Sequence, residues 1–150
     1  MHVIIDGYGG DPQRLADAAV LKALLDEYPA QMGMTKIAPP AVYRYVGAKP
    51  QDWGLSGFVL IAESHISVHT FPARGCLWAD IFSCKDFDAD AAVWNMATVF
   101  QLRAVFAGKI HRGLEYPPAI VNAQAMDRLE RERVGAVIFT APWADGETGS

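Results

Sequence analysis

Ser56, Ser64, His69 and Cys84 lie in one stretch of this sequence, and together they offer two hydroxyls, an imidazole and a thiol. A hydroxyl or thiol becomes a useful nucleophile beside a base, and imidazole is the base suited to neutral pH. A serine hydrolase would use such a set. The Gly-x-Ser-x-Gly elbow is missing, however, and Ser64 has no obvious oxyanion loop beside it. A metal centre would draw on His65, His69 and Cys84. The spacing of these residues matches no zinc pattern, and the Cys-x-x-Cys half is absent. Read singly, Cys84 is a buried strand cysteine, His69 a core histidine and Ser56 a turn residue. His65 acquires no role, and His2 and His111 read as structural.

The elements that must hold these residues are mostly strands. Phe58-Val59-Leu60-Ile61-Ala62 is a near-continuous apolar run, the mark of a buried strand. After Glu63-Ser64 the pattern alternates, with His65, Ser67 and His69 on one face and Ile66, Val68 and Thr70 on the other. Phe71 to Gly75 is a turn. The next strand, Cys76 to Cys84, carries Cys76, Trp78, Asp80, Phe82 and Cys84 on one face. Antiparallel pairing brings part of that face near His69.

Around this centre, His2 to Asp6 reads as a strand and Gly7-Tyr8-Gly9-Gly10 as a loop. The loop lacks the Lys-Ser/Thr of a phosphate-binding turn. Asp11 caps a helix that starts at Pro12 and runs toward Tyr28 with Leu15, Leu21, Leu24 and Leu25 on its apolar face. Pro39-Pro40 precedes a strand from Ala41 to Val46, and a loop runs from Gly47 to Gly54. A second helix is capped at Asp88 or Asp90 and extends its apolar face to Arg103 and Ala104. Lys109 to Tyr116 reads as a strand, Ala123 to Val134 as an amphipathic helix, Val137 to Thr140 as a late strand, and Asp145 to Ser150 as a frayed tail. The expected fold is α+β in two layers, an antiparallel sheet covered by helices on one face.

The 150 residues are 51% hydrophobic and 20% charged, which fits a single domain over residues 1–150 and excludes a disordered chain. A formal net charge of -4 gives no broad positive field for nucleic acid or anionic lipid. The run Arg128 to Arg133 interleaves acids and bases and reads as a solvated helix face. With no apolar run of membrane-spanning length and no charged-then-apolar leader, a reduced, cytoplasmic setting is expected. A Cys76–Cys84 disulfide is not expected, because one extended strand holds its ends too far apart.

The order of the motifs adds to this reading. Glu63-Ser64-His65-Ile66-Ser67-Val68-His69-Thr70-Phe71-Pro72 is preceded by Gly54-Leu55-Ser56-Gly57 and followed by Asp80-Ile81-Phe82-Ser83-Cys84. The set resembles the prokaryotic S-adenosylmethionine decarboxylase family over most of residues 1–116, most densely from Gly54 to Cys84. The resemblance implies self-cleavage between Glu63 and Ser64. The Ser64 hydroxyl attacks the Glu63 carbonyl, the peptide becomes an ester, and elimination and hydrolysis leave a pyruvoyl group as covalent cofactor. Its ketone then takes the substrate amine as a Schiff base and accepts the electrons left by CO₂. By the same resemblance His69 accepts the alpha proton during cleavage, Ser56 holds the scissile region, and Cys84 returns a proton to the substrate. It further implies a homodimer with active sites near the interface, no metal, and a product that feeds spermidine synthesis.

Three positions bear on the substrate. Ala73 stands where the family carries a glutamate that holds the ribose hydroxyls, charge-assisted hydrogen bonds worth about 1.5–3 kcal/mol each. Phe71 replaces the usual tryptophan and keeps an aromatic wall, while Tyr45 and Trp53 are candidates for stacking on adenine. Lys109 to Gly113 departs from the family's late segment. An alternative is decarboxylation of arginine or ornithine, with Asp80 or Glu115 meeting the cationic side chain. A non-catalytic regulatory paralogue is a further alternative, but it would have no use for Ser64, His69 and Cys84.

Overall fold

The computed structural model describes residues 1–112 and the strand Gly135–Thr140. The elements in chain order are β1 (His2–Tyr8), α1 (Pro12–Ala16), α2 (Ala18–Gln31), β2 (Ala41–Val46), β3 (Trp53–Ile61), β4 (Ser64–Phe71), β5 (Cys76–Ser83), α3 (Ala89–Phe100), β6 (Ala104–Ile110) and β7 (Gly135–Thr140). The strands form one antiparallel sheet in the order β2-β3-β4-β5-β1-β6-β7. The helices pack on one face: α2 over β2 and β3, α3 over β1 and β6, and α1 against β3 and β4. This is the expected α+β, two-layer arrangement.

Strand alternation decides which face each side chain serves. Val3, Ile5, Val59, Ile61, Ile66, Val68, Leu77 and Ile81 point toward the helices and are buried with Leu21, Leu25, Met96 and Phe100. Each such aliphatic or aromatic side chain contributes about 1.5–3 kcal/mol by leaving water. The small residues fit the packing: a Cβ on Gly57 would stand 2.7 Å from Leu25 Cδ1, so α2 lies close on β3 only because that position is glycine. Thr70, with Ser83, is a buried polar exception. Its hydroxyl donates to the Leu15 carbonyl (2.7 Å) and accepts from the Leu55 amide (3.1 Å), tying α1 and β3 to β4.

Several boundaries differ from the sequence reading. β1 continues through Gly7 to Tyr8, because Leu102 covers the face where a side chain at Gly7 would sit. The first helix is two: Asp17 adopts an extended conformation and recaps the chain, accepting from the Ala19 and Val20 amides. β3 begins at Trp53, within the expected loop. Of the two candidate caps for α3, Asp88 serves, accepting from the Ala91 amide. That helix stops at Phe100, where Gln101 turns left-handed (φ 51°), so Ala104 opens β6 instead of extending the helix face. β6 spans Ala104–Ile110 and so meets the strand expected from Lys109 to Tyr116 at Lys109 and Ile110; residues 113–116 of that strand lie outside the described residues. β7 covers the expected late strand. The helix expected at 123–134, the tail at 145–150 and Glu115 lie outside the described residues. Cys76 and Cys84 are unpaired, as expected. Among the described residues no helix is long and apolar enough to cross a membrane.

Candidate active site

β3 and β4 are joined by the two-residue turn Ala62-Glu63, with Ile61 paired to Ser64. Hairpin turns of this length favour glycine or asparagine, which take positive φ without strain. This turn has neither, and the positive φ falls on Ser64, at 157°. That region is populated almost solely by glycine and costs a side-chain-bearing residue about 1–3 kcal/mol. The conformation also breaks the alternation of β4. Neighbouring strand side chains normally face apart, yet Ser64 Oγ lies 3.1 Å from His65 Nδ1.

Cys84 closes the other side of the turn. β5 ends one residue earlier than the sequence pattern suggests, because the Ser83 hydroxyl bonds the backbone of Lys85 and turns the chain. Cys84 is exposed, not a buried strand cysteine. Its backbone N–H and its thiol both donate to the Glu63 carbonyl oxygen, each at 3.1 Å. Both donors thus come from a residue twenty positions downstream of Ser64. Two donors on one carbonyl oxygen polarise it toward attack and stabilise the charge that attack would create.

Ser56 and His69 form a separate pair. They are directly opposite in the β3–β4 register, and Ser56 Oγ lies 2.9 Å from His69 Nδ1 on the sheet face away from the helices. His69 is exposed there, not a core histidine, and Ser56 sits in mid-strand rather than in a turn. Five residues of strand separate Ser64 from His69, roughly 16 Å at about 3.3 Å per residue. Within one chain the structure thus brings Glu63, Ser64 and Cys84 together, and Ser56 with His69, but does not join the two groups.

This open face is strongly apolar. Ile4, Tyr43, Phe58, Leu60, Trp78 and Phe106 all lie on it with large exposed fractions. Of the candidate substrate-binding aromatics, Tyr45 and Phe71 are on this face. Phe71 packs at 4.4 Å (ring centroids) against Trp78, the cross-strand neighbour of His69. Trp53 is not part of the cluster: it shares the helix-side face with Arg44, whose guanidinium sits 4.8 Å over its ring. Tyr43 and Trp78 were passed over in the sequence, although Trp78 sits in the strand alternation that places Asp80.

Asp80 is the charged centre of the same face. Its carboxylate accepts from Ser67 Oγ, lies 3.2 Å from His2 Nε2 and stands 3.6 Å from His65 Nε2. Burial pushes the Asp80 carboxyl up, but the hydrogen bonds from Ser67 and His2 and the charges of His2 and His65 hold it below its ordinary value. Asp80 is therefore already engaged by Ser67 and His2. Among the described residues no group of three or more His, Cys, Asp or Glu side chains is set to hold a metal.

Residues 1–113 match the family model described as S-adenosylmethionine decarboxylase. The chain belongs to that family. A relative from Pyrococcus horikoshii, named S-adenosylmethionine decarboxylase proenzyme, is 30% identical over 115 residues, covering 76% of this chain and 78% of that one. Another of the same name, from Aquifex aeolicus, is 27% identical over 133 residues, covering 89% of this chain and 79% of its own. The crystal structure described as the adenosylmethionine decarboxylase from Aquifex aeolicus superposes with a TM-score of 0.63 at 25% identity, over 79% of this chain and 92% of that one. In this member of the S-adenosylmethionine decarboxylase family, Ala73, where the resemblance implied a glutamate, is exposed in the turn Pro72–Arg74.

Proposed function

We propose that this chain is a proenzyme that cleaves itself between Glu63 and Ser64 and then, as a carboxy-lyase, decarboxylates S-adenosylmethionine. The observation that carries this reading is the pair of hydrogen bonds from Cys84 to the Glu63 carbonyl oxygen, beside a Ser64 held at φ 157°. The carbonyl is polarised, the adjoining peptide is strained, and the hydroxyl that attacks it belongs to the next residue. Attack gives an ester between the Glu63 carbonyl and Ser64 Oγ and frees the Ser64 nitrogen. Loss of the Ser64 alpha proton then expels the Glu63 carboxylate, and hydrolysis of the resulting dehydroalanine releases its nitrogen as ammonia and leaves the pyruvoyl group. When formed, that group supplies a carbonyl for the substrate amine and an acceptor for the electrons released with CO₂. Cys84, a thiol at the same turn, returns the proton to the substrate carbon.

His69 takes the alpha proton, and Ser56 orients its ring. Since this pair stands roughly 16 Å along β4 from Ser64, we assign the task to the His69 of a second copy. A homodimer that stacks open face on open face buries the apolar patch. A two-fold axis crossing β4 near Ser67 exchanges its two ends, bringing Ser56 and His69 of one protomer over Glu63 and Ser64 of the other. Tyr45, Phe71 and Trp78 then line the cleft beside the reacting centre, aromatic surface that suits an adenine ring better than a linear amino acid. Cys84 serves only as a free thiol, which fits a reducing, cytoplasmic compartment.

Mass spectrometry under denaturing conditions tests the cleavage: two fragments dividing between Glu63 and Ser64 are expected, and a chain that stays whole would remove the proposal. CO₂ release is then measured with S-adenosylmethionine, arginine and ornithine separately. Release from either amino acid alone would reassign the substrate and leave the cleavage chemistry standing.

A further inference from the structure

His65 has no part in the chemistry described so far, yet its ring touches the attacking hydroxyl. Ser64 Oγ lies 3.1 Å from His65 Nδ1, and His65 Nε2 stands 3.6 Å from Asp80 Oδ1. The second distance is longer than a direct hydrogen bond. The carboxylate still favours the tautomer with its proton on Nε2, which leaves the Nδ1 lone pair toward Ser64. The ring is also held sideways. Phe82 meets it edge-on at 5.9 Å between centroids, and Phe82 is itself capped by the Arg112 guanidinium at 3.9 Å. Asp80 is fixed in turn by Ser67 and His2.

We propose that His65, oriented by Asp80, is the base that activates Ser64 for the first step of self-cleavage, leaving His69 to the second. This rests on the self-cleavage reading above and assigns a residue to a step for which that reading names no base. In the step, the Ser64 hydroxyl proton moves to His65 Nδ1 as Oγ bonds to the Glu63 carbonyl carbon. The charge gathers on the Glu63 oxygen between the two Cys84 donors. The carbon–nitrogen bond then breaks with the proton passing from His65 to the Ser64 nitrogen, so the ester and a free amine form with no net gain or loss of protons. Serine, histidine and aspartate follow one another as in hydrolytic triads, but with the two ring nitrogens exchanged and the aspartate farther off, and the acyl group attacked is the serine's own neighbour.

The experiment follows cleavage of freshly translated chain by denaturing mass spectrometry over time, for the wild type, His65→Ala, His65→Gln and Asp80→Asn. Cleavage of both His65 variants is expected to slow by at least about 100-fold, the low end of what a general base supplies. Asp80→Asn is expected to slow it less, about 10-fold. Added imidazole should restore cleavage of His65→Ala. Hydroxylamine, which severs esters far faster than amides, should leave His65→Ala whole because the ester does not form. Wild-type cleavage rates in the His65 variants would overturn the assignment. So would hydroxylamine scission of His65→Ala, which would put the block after ester formation. Loss of cleavage with no imidazole rescue and an altered circular dichroism spectrum would make the role structural and also overturn it. A wild-type chain that never divides would instead bring down the self-cleavage reading, and this assignment with it.

Discussion

Cys84 donates twice to the carbonyl oxygen of Glu63, once through its backbone N–H and once through its thiol, both at 3.1 Å. The backbone donor survives any substitution but proline, so the thiol's share can be measured by itself. Cys84→Ala should slow cleavage by about 10-fold, short of the ~10²–10³ that loss of a strong oxyanion donor costs. Material that does divide should lose far more of its CO₂ release, because the proton donor for the substrate carbon is gone. Cys84→Ser should cleave near the wild-type rate. Time-resolved mass spectrometry and a CO₂ assay on the divided fraction read the two effects separately.

The φ of 157° at Ser64 predicts an order of stability among variants that cannot cleave. Ser64→Ala and Ser64→Gly both lack the hydroxyl and should remain whole. Glycine alone is relaxed in that region, so Ser64→Gly should be the more stable, by about 1 kcal/mol. Urea unfolding of the two variants checks this. Equal midpoints would mean that the turn stores no strain.

What could be read in the sequence divides along local and non-local lines. The alternation of β4 and β5 put His65, Ser67 and His69 on one face and Trp78 and Asp80 beside them, because strand period is a local property. The motif order pointed to Glu63-Ser64 as the proposed cleavage point. The Cys84–Glu63 contact was not legible: it depends on where β5 stops, which the Ser83 hydroxyl decides by bonding Lys85. Nor was the role of His65, since alternation points it away from Ser64 and only the positive φ reunites them. The end of α3 was missed for a similar reason. Arg103 and Ala104 continue its apolar spacing, and the left-handed Gln101 breaks it without a glycine to signal the turn.

Acid stability should report on Asp80. Its folded carboxyl is held below the ordinary 3.8, so the unfolded chain takes up the proton first as pH falls. The stabilisation is full above about pH 4 and is lost as pH drops below 3.8 toward the folded value. Asp80→Asn lacks this dependence. The wild-type advantage over Asp80→Asn in urea midpoint should therefore be present at pH 5 and shrink as pH falls below about 4. A difference that stays flat to pH 2 would show that the carboxylate gains nothing from Ser67 and His2.

The apolar open face predicts assembly. Phe58 and Leu60 are each 43% exposed on the surface opposite the helices, far from the core. Phe58→Glu should leave the fold intact but place a charge in the stacked interface, where burying it unpaired costs several kcal/mol. Sedimentation is expected to show a dimer for the wild type and a monomer for the variant. The monomer should also fail to cleave. A monomeric wild type that divides normally would mean that the face has another use.

The separation of Ser64 from His69 allows a direct test of shared sites. If His69 acts across the interface, His69→Ala alone should stay whole and Ser64→Ala alone should stay whole. Co-expressed, the two chains form mixed dimers in which the Ser64 of the His69→Ala chain faces the intact His69 of its partner. That chain should now divide, while the Ser64→Ala chain never does. A mass tag on one chain identifies which fragments appear. Random pairing limits the effect to about half of the dimers, so roughly half of the His69→Ala chain should cleave. If His69 acts within its own chain, neither cleaves in the mixture, because no single chain then carries both groups. The outcome turns on the length of β4, which holds the two groups apart in every copy.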